Sequence, residues 1–328
     1  MKSNPRLTSL TEINTDDMLK AWGLSNVGFG RFIFRSLARP AALGFAREVL
    51  KFDHAVGNSD LNRAGIQMCR RFSGGVRVSG MEHVPSKGPV LILSNHPGLT
   101  DTIALFAAIQ RSDLHVIAQD RPFLRVLTNT SRRIYPIGDN MQSRIRVARS
   151  ALKYIRKGGA LLFFPAGHIE PDPLAREDAM QSLENWSGSI GLFTRLIPEM
   201  RIVVAMVGGV FHPKIPGHPL TRLRRRKKDR ELLGAALQMA WKPYQRNVVS
   251  IAFAPPLSPI ELIERFKKPP AITRAITDVA RGLLVNWPRT WQTLVPGPGL
   301  PPPGGAGSIS NPEKSPDAPK PHPVFSST

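Results

Sequence analysis

His96 and Asp101 lie five positions apart in the segment Leu93-Ser-Asn-His-Pro-Gly-Leu-Thr-Asp101, which sets a base near a carboxylate. A neutral imidazole accepts a proton from an alcohol when a carboxylate holds its other ring nitrogen, fixing the tautomer and stabilising the imidazolium that forms. No catalytic serine or cysteine is then required. A bare H-x4-D pair also reads as a turn histidine followed by a helix-capping aspartate, since N-caps favour Asp. Val90 to Ser94 reads as a buried strand, and Thr102 to Ile109 as the apolar face of a helix capped by Thr100 or Asp101. His96 then falls at the carboxyl end of a strand, where open α/β sheets place their sites. Gly98 lets the turn tighten and a substrate approach the backbone.

The flanking sequence favours chemistry. Val76-Arg-Val-Ser-Gly-Met-Glu-His-Val-Pro-Ser-Lys-Gly-Pro-Val-Leu-Ile-Leu-Ser-Asn-His96 resembles the approach to the catalytic motif of the glycerolipid acyltransferase superfamily, the glycerol-phosphate and lysophosphatidic acid acyltransferases. There a short strand and a Pro-containing turn lead into a strand ending Asn-His-x4-Asp. Phe163-Phe-Pro-Ala-Gly-His-Ile-Glu170 is similar to the family's later Phe-Pro-Glu-Gly-Thr-Arg motif, and the resemblance spans Arg71 to Ala254. It implies an O-acyltransferase with His96 as base and Asp101 as its orienting partner. It also implies acyl-CoA or acyl-ACP as co-substrate and no bound cofactor. No metal is expected, because the one candidate set, His168, Glu170 and Asp172, lacks a recognised ligand spacing. Backbone amides near Gly98 or Gly167 are candidates to stabilise the oxyanion.

The chain departs from the family at the acceptor-binding positions. Ala166 stands where the family has glutamate, and His168 and Ile169 stand for Thr-Arg. The second motif's arginine has no counterpart in Tyr135-Pro-Ile-Gly138-Asp139, and Val203-Val204-Ala205-Met206 lacks the fourth motif's proline. These changes point away from glycerol 3-phosphate and towards a lysolipid-like acceptor. Gly98, Pro165, Gly167, His168 and Glu170 are candidate substrate-binding residues, with Glu170 taking over the polar role lost at Ala166. The alternative for Glu170 is a polar loop ahead of the Pro171 and Pro173 turn. Arg132 and Arg133, and beyond them Arg144 and Arg146, are candidates to hold an anionic acceptor, or else solvated surface positions.

The elements that position these residues follow a βα rhythm. Strands are expected at Val76 to Val78, Val90 to Leu93, His115 to Ala118, Ile134 to Ile137, Leu161 to Phe164, Ile202 to Val207 and Val249 to Ala254. Helices are expected at Asp60 to Arg71, Thr102 to Arg111, Phe123 to Asn129, Gln142 to Arg156, Ser189 to Leu196, Glu231 to Tyr244 and Ile272 to Leu284. This predicts an α/β fold with a wound, largely parallel central sheet flanked by helices. The expected organisation is an N-terminal extension (1–26), an amphipathic helical region (27–70), an acyltransferase-like catalytic domain (71–290) and a disordered Pro/Gly/Ser-rich tail (291–328). Ten of the 31 prolines fall between Pro296 and Pro323, a composition that cannot build a core.

A net charge of +21 calls for an anionic partner. The densest basic cluster runs from Arg222 to Arg230 and includes Arg224, Arg225 and Arg226. Between Val27 and Leu50, Phe29, Phe32 and Phe34 alternate with arginines, and Pro40 divides the stretch into two expected helices. Such helices either lie in a headgroup plane or cover the sheet. No run of 18 apolar residues occurs, and the first residues lack the apolar core of a secretory signal. The single cysteine, Cys69, rules out an intrachain disulfide. Together these features predict a peripheral enzyme on the cytoplasmic face of a membrane. It would bind an anionic lipid surface and an acyl thioester donor, with acyl carrier protein as one candidate partner. The competing readings are a lipid-binding protein with a degenerate dyad and a nucleic-acid binder. The second is disfavoured because no aromatic platforms interleave the basic residues and no DNA-reading motif is present.

Overall fold

The computed structural model describes residues 4–24, 30–212 and 246–298, together with 215, 218–222, 230, 233, 234, 237, 238, 244 and 300. Its strands are β1 (Gly75–Ser79), β2 (Val90–Ser94), β3 (Leu114–Gln119), β4 (Ile134–Ile137), β5 (Ala160–Phe163), β6 (Arg201–Gly208), β7 (Val248–Phe253) and β8 (Gln292–Val295). Its helices are α1 (Pro5–Trp22), α2 (Gly30–Asn58), α3 (Leu61–Phe72), α4 (Leu99–Ala108), α5 (Pro122–Val126), α6 (Met141–Arg156), α7 (Ala179–Ser182), α8 (Ser189–Leu196), α9 (Pro219–Arg222), α10 (Pro259–Phe266) and α11 (Pro269–Val285). One sheet holds all the strands in the order β4-β3-β5-β2-β6-β7-β1-β8. Neighbours from β4 to β6 are parallel, as are β7 and β1; β7 is antiparallel to β6 and β8 to β1.

Continuous apolar runs form these strands because both faces are covered. Val90 and Ile92 join a core against α2, α3 and α4, while Leu91 and Leu93 join a second core against α6, α8 and α11. All seven expected strands are present to within one residue at each end. At the amino ends of β2 and β5, buried Arg111 donates to the carbonyls of Pro85, Gly88 and Gly158 and pairs with Asp113.

Four expectations change. First, α2 runs unbroken through Pro40. Ala38, Ala42 and Ala46 form a fully buried small-residue stripe along α2, and α1 packs closely against that helix. This packing outweighs the roughly 3 kcal/mol that an interior proline costs. Second, the supposed N-terminal extension contains α1, capped by Asn4 with Pro5 at the first turn and Gly23 in the left-handed region at its end. Third, residues 27–70 are not a separate region, because Leu10, Ala46, Val49 and Leu61 share one core with the sheet. Fourth, the chain beyond residue 290 contributes β8, which pairs with β1 where the Arg77 guanidinium covers the Trp291 ring at 4.6 Å. The expected tail at 301–328 and most of the expected Glu231 to Tyr244 helix lie outside the described residues.

The course of α2 bears on the site. Phe45 stacks on Phe123, just past the carboxyl end of β3, whereas Asp53 meets Thr130, just before β4 begins. The first turns of α2 therefore project beyond the carboxyl ends of the strands. There Phe32, Ile33 and Leu37 are exposed, by 77%, 55% and 69%.

Asp53 ties three elements together. It is fully buried and accepts from the Thr130 amide and hydroxyl at 2.8 and 2.9 Å, from the Asn129 amide at 3.0 Å and from the Arg6 guanidinium. Burial pushes its pKa up, but the Thr130 and Arg6 interactions outweigh this and hold it below the usual carboxylate value. The stability it contributes is therefore present above the unfolded carboxylate pKa and is lost as pH falls through the folded one. Asp53→Ala is expected to cost about 3 kcal/mol at neutral pH, with a smaller difference from the parent at low pH, as read by denaturant titration.

Candidate active site

β2 and β5 pair at the centre of the sheet, Leu93 opposite Phe163, and β6 flanks β2 with Ser94 opposite Ala205. The loops that leave the carboxyl ends of these strands therefore emerge side by side. Asn95 closes the β2 to β6 seam like an extra rung. Its side-chain amide donates to the Val207 carbonyl at 2.9 Å and its oxygen accepts from the Val207 amide at 2.8 Å.

His96 follows. Its Nδ1 lies 2.8 Å from Asp101 Oδ2, and Asp101 is fully buried while His96 keeps 28% of its side chain exposed. Asp101 Oδ2 also accepts from the Gly98 amide at 3.0 Å, and Thr102 donates its hydroxyl to Oδ1 at 3.1 Å. The helix thus starts one turn earlier than expected, capped at Gly98 with Asp101 in its first turn rather than at the cap. That position places the carboxylate at the positive end of α4. A Cβ at Gly98 would come within 3.2 Å of Val210. The Phe164 ring lies against the imidazole at 4.6 Å between centroids. Burial alone would depress the His96 pKa; the charge and hydrogen bond of Asp101, helped by Glu170, reverse this and leave it raised. With Nδ1 held, Nε2 is the nitrogen left to take a proton.

Glu170 reaches the same place from β5. Its Oε2 accepts from the His96 amide at 2.9 Å, and its own amide donates to the His96 carbonyl at 2.8 Å. Its Oε1 accepts from Trp186 Nε1 at 3.0 Å and from the Ser182 hydroxyl at 3.3 Å. Burial pushes the Glu170 carboxyl up to about 7, against the pull of those bonds. Asp172, also buried, accepts from the amides of Leu174, Gly209 and Phe211 and so holds the loop that follows β6. Neither carboxyl is free for an acceptor head group, which corrects the expectation for Glu170. His168 is exposed, with Nδ1 on the Ala166 carbonyl at 2.8 Å, so it does not converge with the two acids. Among the described residues no group of three His, Cys, Asp or Glu side chains is placed to hold a metal.

Pro165 and Gly167 line the same loop, with Gly167 at φ 69° making the turn. The amides proposed for an oxyanion are already used, Gly98 by Asp101 and Gly167 by the Phe164 carbonyl. Arg132 and Arg133 are not at the site at all. They form the turn before β4, at the amino ends of the parallel strands. Phe32 and Phe34 lie on the projecting part of α2, Phe34 half-buried, while Phe29, Arg224, Arg225 and Arg226 lie outside the described residues. Arg35 is bound by Glu12 and Asp16 of α1. Sequence reasoning missed the contributions of Asn95, Trp186 and Ser182.

Residues 75–207 match the Acyltransferase family model, a span from β1 to β6 that contains His96, Asp101 and Glu170. This segment is an acyltransferase domain. The chain is also similar to the crystal structure of the 1-acyl-sn-glycerophosphate (LPA) acyltransferase, PlsC, from Thermotoga maritima. The identity is 16%, covering 84% of this chain and 97% of that one, with a TM-score of 0.42. No curated protein matches the chain. The acyltransferase domain holds no cysteine: the chain's one cysteine, Cys69, lies outside it in α3, buried, with its thiol pushed up to about 12.

Proposed function

We propose that the protein transfers a fatty acyl group from an acyl thioester, acyl-CoA or acyl-ACP, to a hydroxyl of a lysolipid-like acceptor in lipid biosynthesis. The observation that carries this reading is the His96 Nδ1 to Asp101 Oδ2 hydrogen bond at the strand ends of an acyltransferase domain. His96 Nε2 takes the acceptor's hydroxyl proton as the oxygen attacks the thioester carbonyl. Asp101 stabilises the imidazolium. Collapse of the tetrahedral intermediate breaks the carbon–sulfur bond, and the imidazolium returns its proton to the leaving thiolate. Both substrates are bound together and no acyl-enzyme forms. The absence of the family's acceptor arginine, and the position of Arg132 and Arg133 at the far end of the sheet, support an acceptor other than glycerol 3-phosphate.

The test is an assay with an acyl thioester and a panel of lysolipids, hydroxylated amphiphiles and glycerol 3-phosphate at equal concentration. His96→Ala is expected to lower turnover by about 10² to 10⁴, and Asp101→Asn nearly as much, with a lysolipid preferred in the parent. Undiminished turnover in folded His96→Ala rejects the mechanism, and a clear preference for glycerol 3-phosphate rejects the acceptor assignment.

The working place of the enzyme is the surface of an anionic membrane, on the cytoplasmic face. Among the described residues no helix is long and apolar enough to cross a membrane. Phe32, Ile33 and Leu37 project past the strand end that carries His96, and Ile169 and Leu174 are exposed on the loop beside it. The basic stretch from Arg222 to Arg230 adds attraction of about 1 kcal/mol for each side chain near the lipid. Salt screens that attraction over about 8 Å at physiological strength but leaves apolar insertion in place. Vesicle sedimentation is expected to show binding that rises with anionic lipid and falls with salt. Replacing Arg224, Arg225, Arg226, Lys227 and Lys228 by glutamine mimics high salt, and Phe32→Ser with Leu37→Ser removes the salt-resistant part. Binding indifferent to lipid charge and to both sets of changes, or tighter binding to nucleic acid at the same salt, contradicts this placement.

A further inference from the structure

Glu170 is a carboxylate in an unusual position. It is 2% exposed, and among the described residues no lysine or arginine pairs with it. Its hydrogen-bond partners are the His96 amide, the Trp186 indole and the Ser182 hydroxyl, all of them uncharged donors. An ionised carboxylate kept dry without a cation is costly. A glutamine would fill the same space and still accept from an amide. The cation that this carboxylate does face is one that exists during turnover, the imidazolium of His96.

The contact is also unusually direct. Glu170 does not touch the imidazole ring; it grips the backbone of the same residue from both sides, through the His96 amide and the His96 carbonyl. With Asp101 holding Nδ1, the base is fixed at main chain and side chain by two acids from two different strand-end segments. Trp186 and Ser182 fix Glu170 in turn, and these come from the segment of α7 and the turn after it.

We propose that Glu170 is the positioning residue of this acyltransferase. It locks the main chain of His96 so that Nε2 faces the acceptor hydroxyl, and it presents the second negative charge against which the imidazolium forms. This rests on His96 being the base. Among the described residues the charged groups facing His96 are Asp101 from α4 and Glu170 from the loop after β5, and the ring against its face is the neutral Phe164. Neighbouring Asp172 has the same burial but serves the loop after β6, so it separates a positioning role from a merely structural one.

Glu170→Gln keeps the shape and removes the charge. It is expected to lower kcat roughly 10-fold, the effect of about one pKa unit of lost stabilisation of the imidazolium, with KM for both substrates within about twofold. Taking a negative charge away from His96 lowers its pKa, and the neutral form is the active one. The acidic limb of the kcat profile must therefore move to lower pH. Trp186→Phe, which removes one donor from Glu170 and favours its protonated form, moves the limb the same way by less. Asp172→Asn lowers stability and leaves the limb in place. The proposal is overturned if the limb stays put in both Glu170→Gln and Trp186→Phe, or if the whole effect of Glu170→Gln is a raised KM for the acceptor, the mark of a head-group contact. Should Glu170→Gln fail to fold, Trp186→Phe decides alone by the same limb. An inactive His96→Ala beside an unmoved limb defeats this proposal only, whereas an active His96→Ala defeats the assignment of the base beneath it.

Discussion

Asp101 is a wholly buried carboxylate whose only side-chain nitrogen partner among the described residues is the imidazole of His96. Its remaining bonds come from Gly98 and Thr102, at the amino end of α4. The helix dipole and these donors stabilise the charge with no arginine or lysine partner among the described residues. That leaves the carboxylate free to stabilise a proton on the histidine, and most of the site can be read as support for that one bond. Asn95 fixes the end of β2 against β6, Glu170 fixes the His96 main chain against the loop after β5, and Asp172 fixes the loop after β6.

The strand ends make this arrangement necessary. Where β5, β2 and β6 stop pairing, their main-chain amides and carbonyls are buried and need partners. Three polar side chains take over from the ladder, Glu170 reaching 74 positions back to His96, Asn95 112 positions on to Val207, and Asp172 37 and 39 positions on to Gly209 and Phe211. The apolar sheet below provides rigidity, pinned at its opposite end by Arg111. The same topology also sets what can reach the site. Loops leaving β2, β5 and β6 arrive there, and the first turns of α2 project past the same end of the sheet, while the turn before β4 lies at the other end.

The strands were legible because burial on both faces writes continuous apolar runs, and the His96 and Asp101 pair was legible because both residues sit in one nine-residue segment. β8 was hidden: four residues among prolines and glycines pair with a strand more than 200 positions earlier, held by buried Val295 and by the Arg77 contact to Trp291, neither of which shows in the local pattern. Pro40 misled because local propensity lost to the Ala38, Ala42 and Ala46 packing face. Glu170 was singled out but given the wrong duty, since nothing local shows that its side chain turns inward to residues 74 positions before and 16 after it. Arg132 and Arg133 were misplaced for a reason the sequence did contain. Residues that precede a parallel strand lie at its amino end, away from a site at the carboxyl ends.

Nitrogen NMR of His96, assigned by its loss in His96→Ala, measures the central bond directly. The neutral imidazole is predicted to carry its proton on Nδ1 and its lone pair on Nε2, and to titrate above the ordinary histidine value of about 6.5, with Asp101→Asn lowering the midpoint. A neutral form protonated on Nε2, or a midpoint at or below that value and unmoved by Asp101→Asn, would contradict His96 as a base oriented by Asp101.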